Sequence, residues 1–221
     1  MKMLAATAYS TGARGLFCLI LLSGLAACGT LQPPPRPWVY DFGPGTTSEQ
    51  PTQRMAPLPP LALAGVQATG ALDSTAVLYR LAYSDAQQLR PYAQARWSMP
   101  PAELLRQRLR EHLGQRRAVL NPADGVLAGG PILTLRVELD EFSQLFESAT
   151  HSTGLLRLRA TLGQPGAGGE KLVAQRSFVL QRASASPDAA GGVRALTAAA
   201  DAAIEEMEQW VQQTAQATPG H

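Results

Sequence analysis

Apolar and polar residues alternate along much of this chain, and the alternation predicts a sheet with one buried and one solvated face. In ILTLRVELDEF (132–142) the apolar positions are Leu133, Leu135, Val137 and Leu139. The same alternation predicts strands at 75–83 and 153–162. We also expect strands at 61–66, 89–97 and 171–180, and a short strand within AVLNPADG (118–125). We expect the strands at 75–83 and 89–97 to form a hairpin around SDAQQ, with Pro91 at an edge or a bulge. We expect the strands at 132–142, 153–162 and 171–180 to form a meander.

Two segments instead repeat apolar residues every three or four positions, which predicts helices. The first, SMPPAELLRQRLREHLG (98–114), has Ser98 as its expected N-terminal cap and Gly114 as its end. The second begins at Ser186, and a Gly-Gly pair (191–192) weakens its first turn. The order of these elements predicts an α+β fold, with two helices packed on one face of a mainly antiparallel sheet.

The apolar run GLFCLILLSGLAAC (15–28) stands near the start of the chain, after two basic residues. Its core is too short to span a bilayer and is typical of a secretory signal. The last four residues, Leu25 to Cys28, resemble the bacterial lipobox, in which the cysteine thiol receives diacylglycerol and becomes residue one after cleavage. We therefore predict a lipoprotein signal peptide at 1–27 and lipidation of Cys28. An ordinary signal with an incidental cysteine is the alternative.

Cleavage after residue 27 removes Lys2, Arg14 and Cys18, which changes the net charge and the number of cysteines of the mature protein. The full chain has 221 residues with 19 Lys and Arg against 17 Asp and Glu, so the mature part carries 17 of each (19 − 2 = 17). A neutral chain has no net basic field to attract nucleic acid. Because Cys28 is the one cysteine left and is acylated, no disulfide or cysteine metal site forms in the mature monomer.

The mature chain divides into a tether, a domain and a tail. Residues 28–60 hold most of the early prolines, which favour an extended and semi-rigid tether behind the lipid. Within it, WVYDF (38–42) is apolar enough for a short strand or a docking segment. We expect the domain at 61–214 and a disordered tail at 215–221. Gly29, which stands where many lipoproteins of the inner membrane have Asp, favours the periplasmic face of the outer membrane, with the inner membrane left open.

No arrangement of residues in the sequence predicts catalysis, a metal or a cofactor. The three histidines are scattered, with no second ligand at metal-binding spacing. The sequence contains neither a phosphate-binding loop nor a G-x-S-x-G nucleophile elbow. Glu138, Asp140 and Glu141 are carboxylates close in sequence, but the alternation assigns Glu138 and Asp140 to solvent, which suits a polar stripe better than acid–base chemistry. We therefore predict that the protein is not an enzyme.

Charged residues on the predicted strands form one candidate partner surface. Its members are Arg136, Glu138, Asp140, Arg157 and Arg159. If the strands pair, these side chains share the solvated face of the sheet. Two interpretations stay open: the charges pair across strands and serve solubility, or they form a polar surface for a partner protein or a lipid head group.

The stretch VLYRLAYSDAQQLRPYAQARWSMPPAELLRQRLREHL (77–113) carries a family resemblance. Behind a lipobox cysteine and a Pro-rich tether, it resembles the ABC-type transport auxiliary lipoprotein family, the PqiC/YmbA-like group. The later LTLRVELDEF, a strand that ends in an acidic residue and Phe, and RALTAAADAAIEEMEQW also resemble the family's strand and closing helix. The residues of the first stretch that carry the resemblance are Tyr79, Arg80, Tyr92, Arg96, Trp97, Pro101, Leu104 and Leu105.

The resemblance implies a non-enzymatic subunit of an Mce-type ABC lipid transport system. In such systems Mce-domain proteins form a periplasmic tunnel for lipid, and the auxiliary lipoprotein is thought to receive or dock that tunnel at the outer membrane. Some members assemble as rings, so a homo-oligomeric ring is one expected arrangement. The alternative function is an envelope scaffold or activator lipoprotein that binds a cell-wall synthase through its tether.

Overall fold

A computed structural model describes residues 36–45, 58–68, 70–123, 132–166 and 168–217. The predicted signal peptide at 1–27, Cys28 and most of the predicted tether lie outside the described residues. Of the predicted tail, residues 215–217 are described, and they belong to the last helix.

The described residues form eight strands and three α-helices. The strands are β1 (Trp38–Tyr40), β2 (Leu61–Ala68), β3 (Ala76–Leu81), β4 (Ala86–Trp97), β5 (Val119–Leu120), β6 (Thr134–Phe146), β7 (Ser152–Gly166) and β8 (Gly169–Ala183). The helices are α1 (Ala82–Asp85), α2 (Pro101–Gly114) and α3 (Ala189–Ala217). Every strand predicted from alternation is present, and the predicted SDAQQ turn is occupied by the single turn α1 and the start of β4.

All eight strands belong to one mixed sheet with β6 at its centre. Along one edge, β6 pairs antiparallel with β7, and β7 pairs antiparallel with β8. Along its other edge, the first half of β6 pairs with β2 and the last three residues pair with β3, both in parallel. The hairpin of β3 and β4 is antiparallel as predicted, whereas β1 joins β4, and β5 joins β2, in parallel. The α+β class is confirmed, with antiparallel pairing in the longest strands.

The two long helices lie on one face of the sheet and contact each other. α3 packs on β6, β7 and β8, and α2 packs on β2. The predicted apolar stripe of α2 is buried at Ala102, Leu105, Leu109 and Leu113. Below the helices, Phe42, Trp97 and Phe142 pack with ring centroids 5.6 to 5.9 Å apart. Burial of these large side chains supplies the main stabilisation of the fold.

The helix caps differ from the prediction. Ser98 does not cap α2, because Pro100 occupies the N-cap position and offers no side-chain acceptor. At the start of α3, Asp188 does cap the helix: its Oδ1 accepts hydrogen bonds from the Gly191 backbone N–H at 2.7 Å and from the Ser186 hydroxyl at 2.8 Å. The Gly191 backbone hydrogen bond, followed by that of Ser186, lowers the pKa of Asp188 below its ordinary value.

The Asp188 cap makes the stability of the domain depend on pH. A carboxyl whose pKa is lower in the folded state stabilises the fold above its unfolded pKa and loses that effect as the pH falls through its folded pKa. We expect Asp188→Ala to lower the free energy of unfolding by about 1 kcal/mol at neutral pH. Urea unfolding of both proteins at pH 7 and in acid checks this, since the two curves should converge in acid. Asp188→Asn, a neutral cap, is the control; a gap between Asp188→Ala and wild type that persisted unchanged in acid would contradict the mechanism.

Glycines allow α3 to lie directly on the sheet. A Cβ at Gly154, on β7, would stand 2.6 Å from both the Ala195 carbonyl carbon and the Leu196 backbone nitrogen of α3. A Cβ at Gly192, on α3, would clash with the side chain of Gln144 on β6. A Cβ at Gly191 would clash with the Ser186 carbonyl oxygen, so packing requires both members of the Gly-Gly pair that weakens the first turn by propensity.

Candidate partner surface on the sheet

The face of the sheet opposite the helices carries the charged residues predicted from the sequence. We call this side of β3, β6, β7 and β8 the outer face. The register of β6 against β7 brings charged residues together, because Glu138 lies opposite Arg159 and Glu141 lies opposite Arg157. Arg136 lies opposite Thr161. All five predicted residues, which are Arg136, Glu138, Asp140, Arg157 and Arg159, are on β6 or β7 and are exposed or half-buried.

A mostly buried ion pair lies at the centre of the outer face. The Arg80 Nη2 of β3 donates to Glu141 Oε2 at 3.0 Å, and Arg80 Nε donates to Glu141 Oε1 at 3.4 Å. Arg80 also donates through Nη1 to the carbonyl oxygens of Ala86 and Gln87, at 3.2 and 3.1 Å. The Glu141 side chain is only 6% exposed. One guanidinium therefore joins β6 to the tip of the β3–β4 hairpin.

Arginines of β7 extend this network across the sheet. The Arg157 Nη2 stands 3.8 Å from Glu141 Oε2. Arg159 Nη2 stands 3.6 Å from Glu138 Oε2 and 3.5 Å from Asp140 Oδ1. The Arg136 guanidinium pairs with the carboxylate of Glu170 on β8. Charge pairing across strands, one of the two interpretations left open, is therefore present throughout the group.

A β-bulge sets the position of Glu141. The register of β6 against β7 shifts between Leu139 and Glu141, which makes Asp140 the extra residue. Strict alternation would send Glu141 to the helix-covered face, whereas the bulge returns it to the outer face beside Arg80. Sequence reasoning missed both residues of this pair as site residues, although each belongs to a segment that carries the family resemblance.

On β8, exposed apolar side chains flank the charged residues of the outer face. Val179, which lies opposite Arg157, is 60% exposed, and Leu172 is 63% exposed. The charges themselves balance, with four arginines (80, 136, 157 and 159) against four carboxylates (138, 140, 141 and 170). Ordered arginines beside apolar side chains are typical of protein–protein contacts, and a balanced set of charges does not suit nucleic acid.

Apart from the outer face, a concave site lies between α2 and α3. The cavity has a volume of about 500 Å³, and its lining includes Arg108, Glu111, His112 and Asp201. Arg108 Nε pairs with Asp201 Oδ1 at 3.0 Å, and His112 Nε2 lies 2.6 Å from Glu208 Oε2. These pairs join the two helices. A lining this charged does not suit a lipid acyl chain.

Among the described residues, no three His, Cys, Asp or Glu side chains cluster in a way that could hold a metal ion. No helix in that part of the chain has both the length and the apolar character needed to cross a membrane. His112 faces Glu208, and His151 Nδ1 lies within hydrogen-bonding distance of Ser148 and Thr150.

Comparison with known proteins identifies the family. The family model described as the ABC-type transport auxiliary lipoprotein component matches residues 40–208, well over half of the chain. The chain belongs to this family. The resemblance found in the sequence is therefore confirmed, and the family is described as a transport component rather than as an enzyme. Among curated proteins, none matches the chain at a significant level.

Solved structures share the fold of this family member. The protein XCC0632 from Xanthomonas campestris has a TM-score of 0.63 at 21% sequence identity, covering 81% of this chain and 97% of its own. A structure described as an uncharacterized protein has a TM-score of 0.58 at 15% identity, covering 80% of this chain and 99% of its own. At these identities the likeness shows a common fold alone.

Residues that carried the family resemblance have structural roles in this fold. Trp97 is buried in the aromatic cluster with Phe42 and Phe142. Tyr92 donates its hydroxyl to Gln144 Oε1 at 2.7 Å, and burial, with smaller contributions from Tyr79 and Asp188, raises its pKa above the ordinary value. Arg80 makes the ion pair with Glu141. The resemblance therefore rested on both core residues and the centre of the outer face.

Proposed function

We propose that this chain is a lipid-anchored periplasmic subunit of an Mce-type ABC lipid transport system, and that it docks the Mce-domain protein at the outer membrane. Its role is binding and positioning rather than catalysis. The observation that carries the proposal is the family match over residues 40–208, because that family is described as the auxiliary lipoprotein component of ABC-type transport.

The anchor in this proposal is the lipid on Cys28. The sequence that precedes it, an apolar run ending in Leu25-Ala26-Ala27, supports processing as a lipoprotein. Each lipid methylene that is buried contributes about 0.8 kcal/mol, and two acyl chains are enough for stable attachment. Gly29 supports the outer membrane as the destination.

The docking site in this proposal is the outer face. Arg157 and Arg159 are half exposed, and each guanidinium lies within 4 Å of a carboxylate of β6. Because these exposed pairs are weak, both arginines can turn to a carboxylate of a partner. Val179 adds apolar area beside Arg157. We infer that the Mce-domain protein contacts this surface with carboxylates and apolar side chains, and that several copies of the chain form a ring around the tunnel.

Charge reversal on β7 tests the docking site. We expect the double variant Arg157→Glu and Arg159→Glu to lower the affinity for the Mce-domain protein by roughly tenfold or more, since arginines are frequent interface hot spots. Co-purification of the mature lipoprotein from solubilised membranes, followed by titration of the purified pair, measures this.

The matched control is the double variant Arg106→Glu and Arg194→Glu. Both arginines are on helices, on the opposite side of the sheet, and the change in charge is the same. Thermal unfolding of both variants verifies folding. Recovery of a cell-wall synthase with no Mce-domain protein would contradict the proposed function, and unchanged recovery in the β7 variant would contradict the docking site.

A further inference from the structure

β1 is an edge strand with two exposed apolar side chains. Trp38 is 66% exposed and Val39 is 65% exposed. Among the described strands, β1 pairs with β4 alone, so its other edge is open. Side chains alternate along a strand, so Trp38 and Val39 project to opposite sides of the sheet. A partner that contacts both must meet β1 along its open edge.

Cationic side chains accompany these two residues. Arg36 is exposed two positions before Trp38, and Arg96 of β4 lies opposite Val39 in the parallel register. The nearest acid in the sequence is Asp41, whose Oδ1 accepts a hydrogen bond from the Gly43 backbone N–H at 2.7 Å. An exposed indole beside cations matches the membrane–water interface, where tryptophan occupies the head-group level and arginine approaches anionic lipids.

The position of β1 in the chain favours a membrane as its partner. Trp38 stands only ten residues after Cys28, and four of the residues between them are prolines (33, 34, 35 and 37). Ten fully extended residues reach at most roughly 35 Å, and a polyproline II segment of that length reaches about 31 Å. β1 is therefore the described strand that stays closest, along the chain, to the lipid.

The length of β1 argues against a protein strand as the partner. Strand addition draws its affinity from a row of main-chain hydrogen bonds. β1 has three residues, so its open edge offers few such groups. A lipid surface needs no such row and uses the side chains that are exposed.

We propose that the open edge of β1, with Arg36, Trp38 and Val39, rests on the anionic head groups of the membrane that holds the Cys28 lipid. This proposal rests on the lipid anchor of the proposed function, but not on the identity of the partner protein. It orients the domain, because the strand at one end of the sheet lies against the membrane.

Tryptophan fluorescence tests the proposal selectively. Of the three tryptophans, Trp97 is 2% exposed and Trp210 is 9% exposed, so Trp38 is the accessible one. The mature lipoprotein is inserted through its lipid into vesicles of phosphatidylcholine and phosphatidylglycerol, with and without bromine on the phosphatidylcholine chains. We expect brominated lipid to quench the Trp38 emission, the emission to shift to shorter wavelength, and acrylamide quenching to fall. Trp38→Phe should lose all three effects.

The matched control moves the reporter to another exposed aromatic position. Tyr83, in α1, is 53% exposed and lies just before the start of β4, whereas Trp38 pairs with Ala95 near the end of β4. Along the partner strand β3, the two sites are separated by the distance from Ala76, opposite Arg96, to Leu81, next to α1, which is about 17 Å. In the double variant Trp38→Phe and Tyr83→Trp, brominated lipid should have no effect. Arg36→Gln should weaken the quenching of Trp38 in vesicles that contain phosphatidylglycerol.

Four results would overturn the proposal. The first is protein that floats with the vesicles while Trp38 is unaffected by brominated lipid. The second is equal quenching at position 83, which would show that the domain has no preferred orientation. The third is protein that does not float, which would remove the anchor as well. The fourth is protection of Trp38 only after addition of an Mce-domain protein, which would make that protein, and not the membrane, the partner of β1. The vesicle measurements made without this protein do not depend on its recovery, so failure of the membrane contact is distinguishable from failure of the docking site.

Discussion

Gly154→Ala is expected to lower the free energy of unfolding by about 3 kcal/mol, at the upper end of the usual cost of overpacking a core. The added methyl group would stand 2.6 Å from the backbone of α3, at the Ala195 carbonyl carbon and the Leu196 nitrogen. Backbone atoms in a buried helix cannot rotate away as a long side chain can. The whole of α3 must therefore move off β7, which loosens the apolar contacts on both sides of Gly154.

Thermal unfolding followed by circular dichroism measures this effect. For a domain of this size, a loss of about 3 kcal/mol lowers Tm by roughly 10 °C. Gly114→Ala is the matched control, because a Cβ at Gly114, the last residue of α2, meets no atom within 4 Å. We expect that control to change stability by less than about 0.5 kcal/mol. Similar small shifts in both variants would mean that the contact between α3 and β7 has room for a methyl group.

Glu141→Gln is expected to have the second largest effect, a loss of about 2 kcal/mol in the free energy of unfolding. The substitution removes the negative charge that faces Arg80, and a charge left unpaired in a mostly buried site is costly. Arg80 keeps its hydrogen bonds to the carbonyl oxygens of Ala86 and Gln87, which limits the loss.

Glu138→Gln is the matched control for this prediction. Its carboxylate is on the same strand and face, but the side chain is 55% exposed and stands 3.6 Å from Arg159. Exposed pairs contribute little, so we expect a change of less than about 0.5 kcal/mol in urea unfolding. The double variant Arg80→Gln and Glu141→Gln should cost less than the sum of the two single variants. Equal losses for Glu141→Gln and Glu138→Gln would show that burial does not strengthen the Arg80 pair.

Local patterns in the sequence predicted the parts of the fold that depend on local forces. Alternation located the strands, and spacing located the buried stripe of α2 from Ala102 to Leu113, because burial of one face imposes those periods. The α+β class and the family followed. The parallel pairings of β2 and β3 with β6 were not predicted, since alternation reports which face of a strand is buried and not which strand lies beside it.

Three features of the site depend on tertiary structure that no local pattern encodes. The bulge at Asp140 moves Glu141 to the outer face, and only the register against β7 reveals it. The closeness of α3 to Gly154 depends on how a helix crosses a strand. The exposure of Trp38 depends on what covers the sheet beside β1, which the WVYDF pattern does not encode. Lipidation of Cys28 stays a prediction, because that residue lies outside the described part of the chain.

The central position of β6 also has a consequence for the timing of folding. β2 and β3 are close in sequence but do not pair with each other; both join β6, more than sixty residues later in the chain. A chain that is synthesised from its N-terminus therefore exposes open strand edges until β6 has emerged. Contacts between such distant residues form slowly, and unpaired edges favour aggregation in the meantime. Newly made chains should thus depend on chaperones during the interval between the appearance of β3 and the appearance of β6.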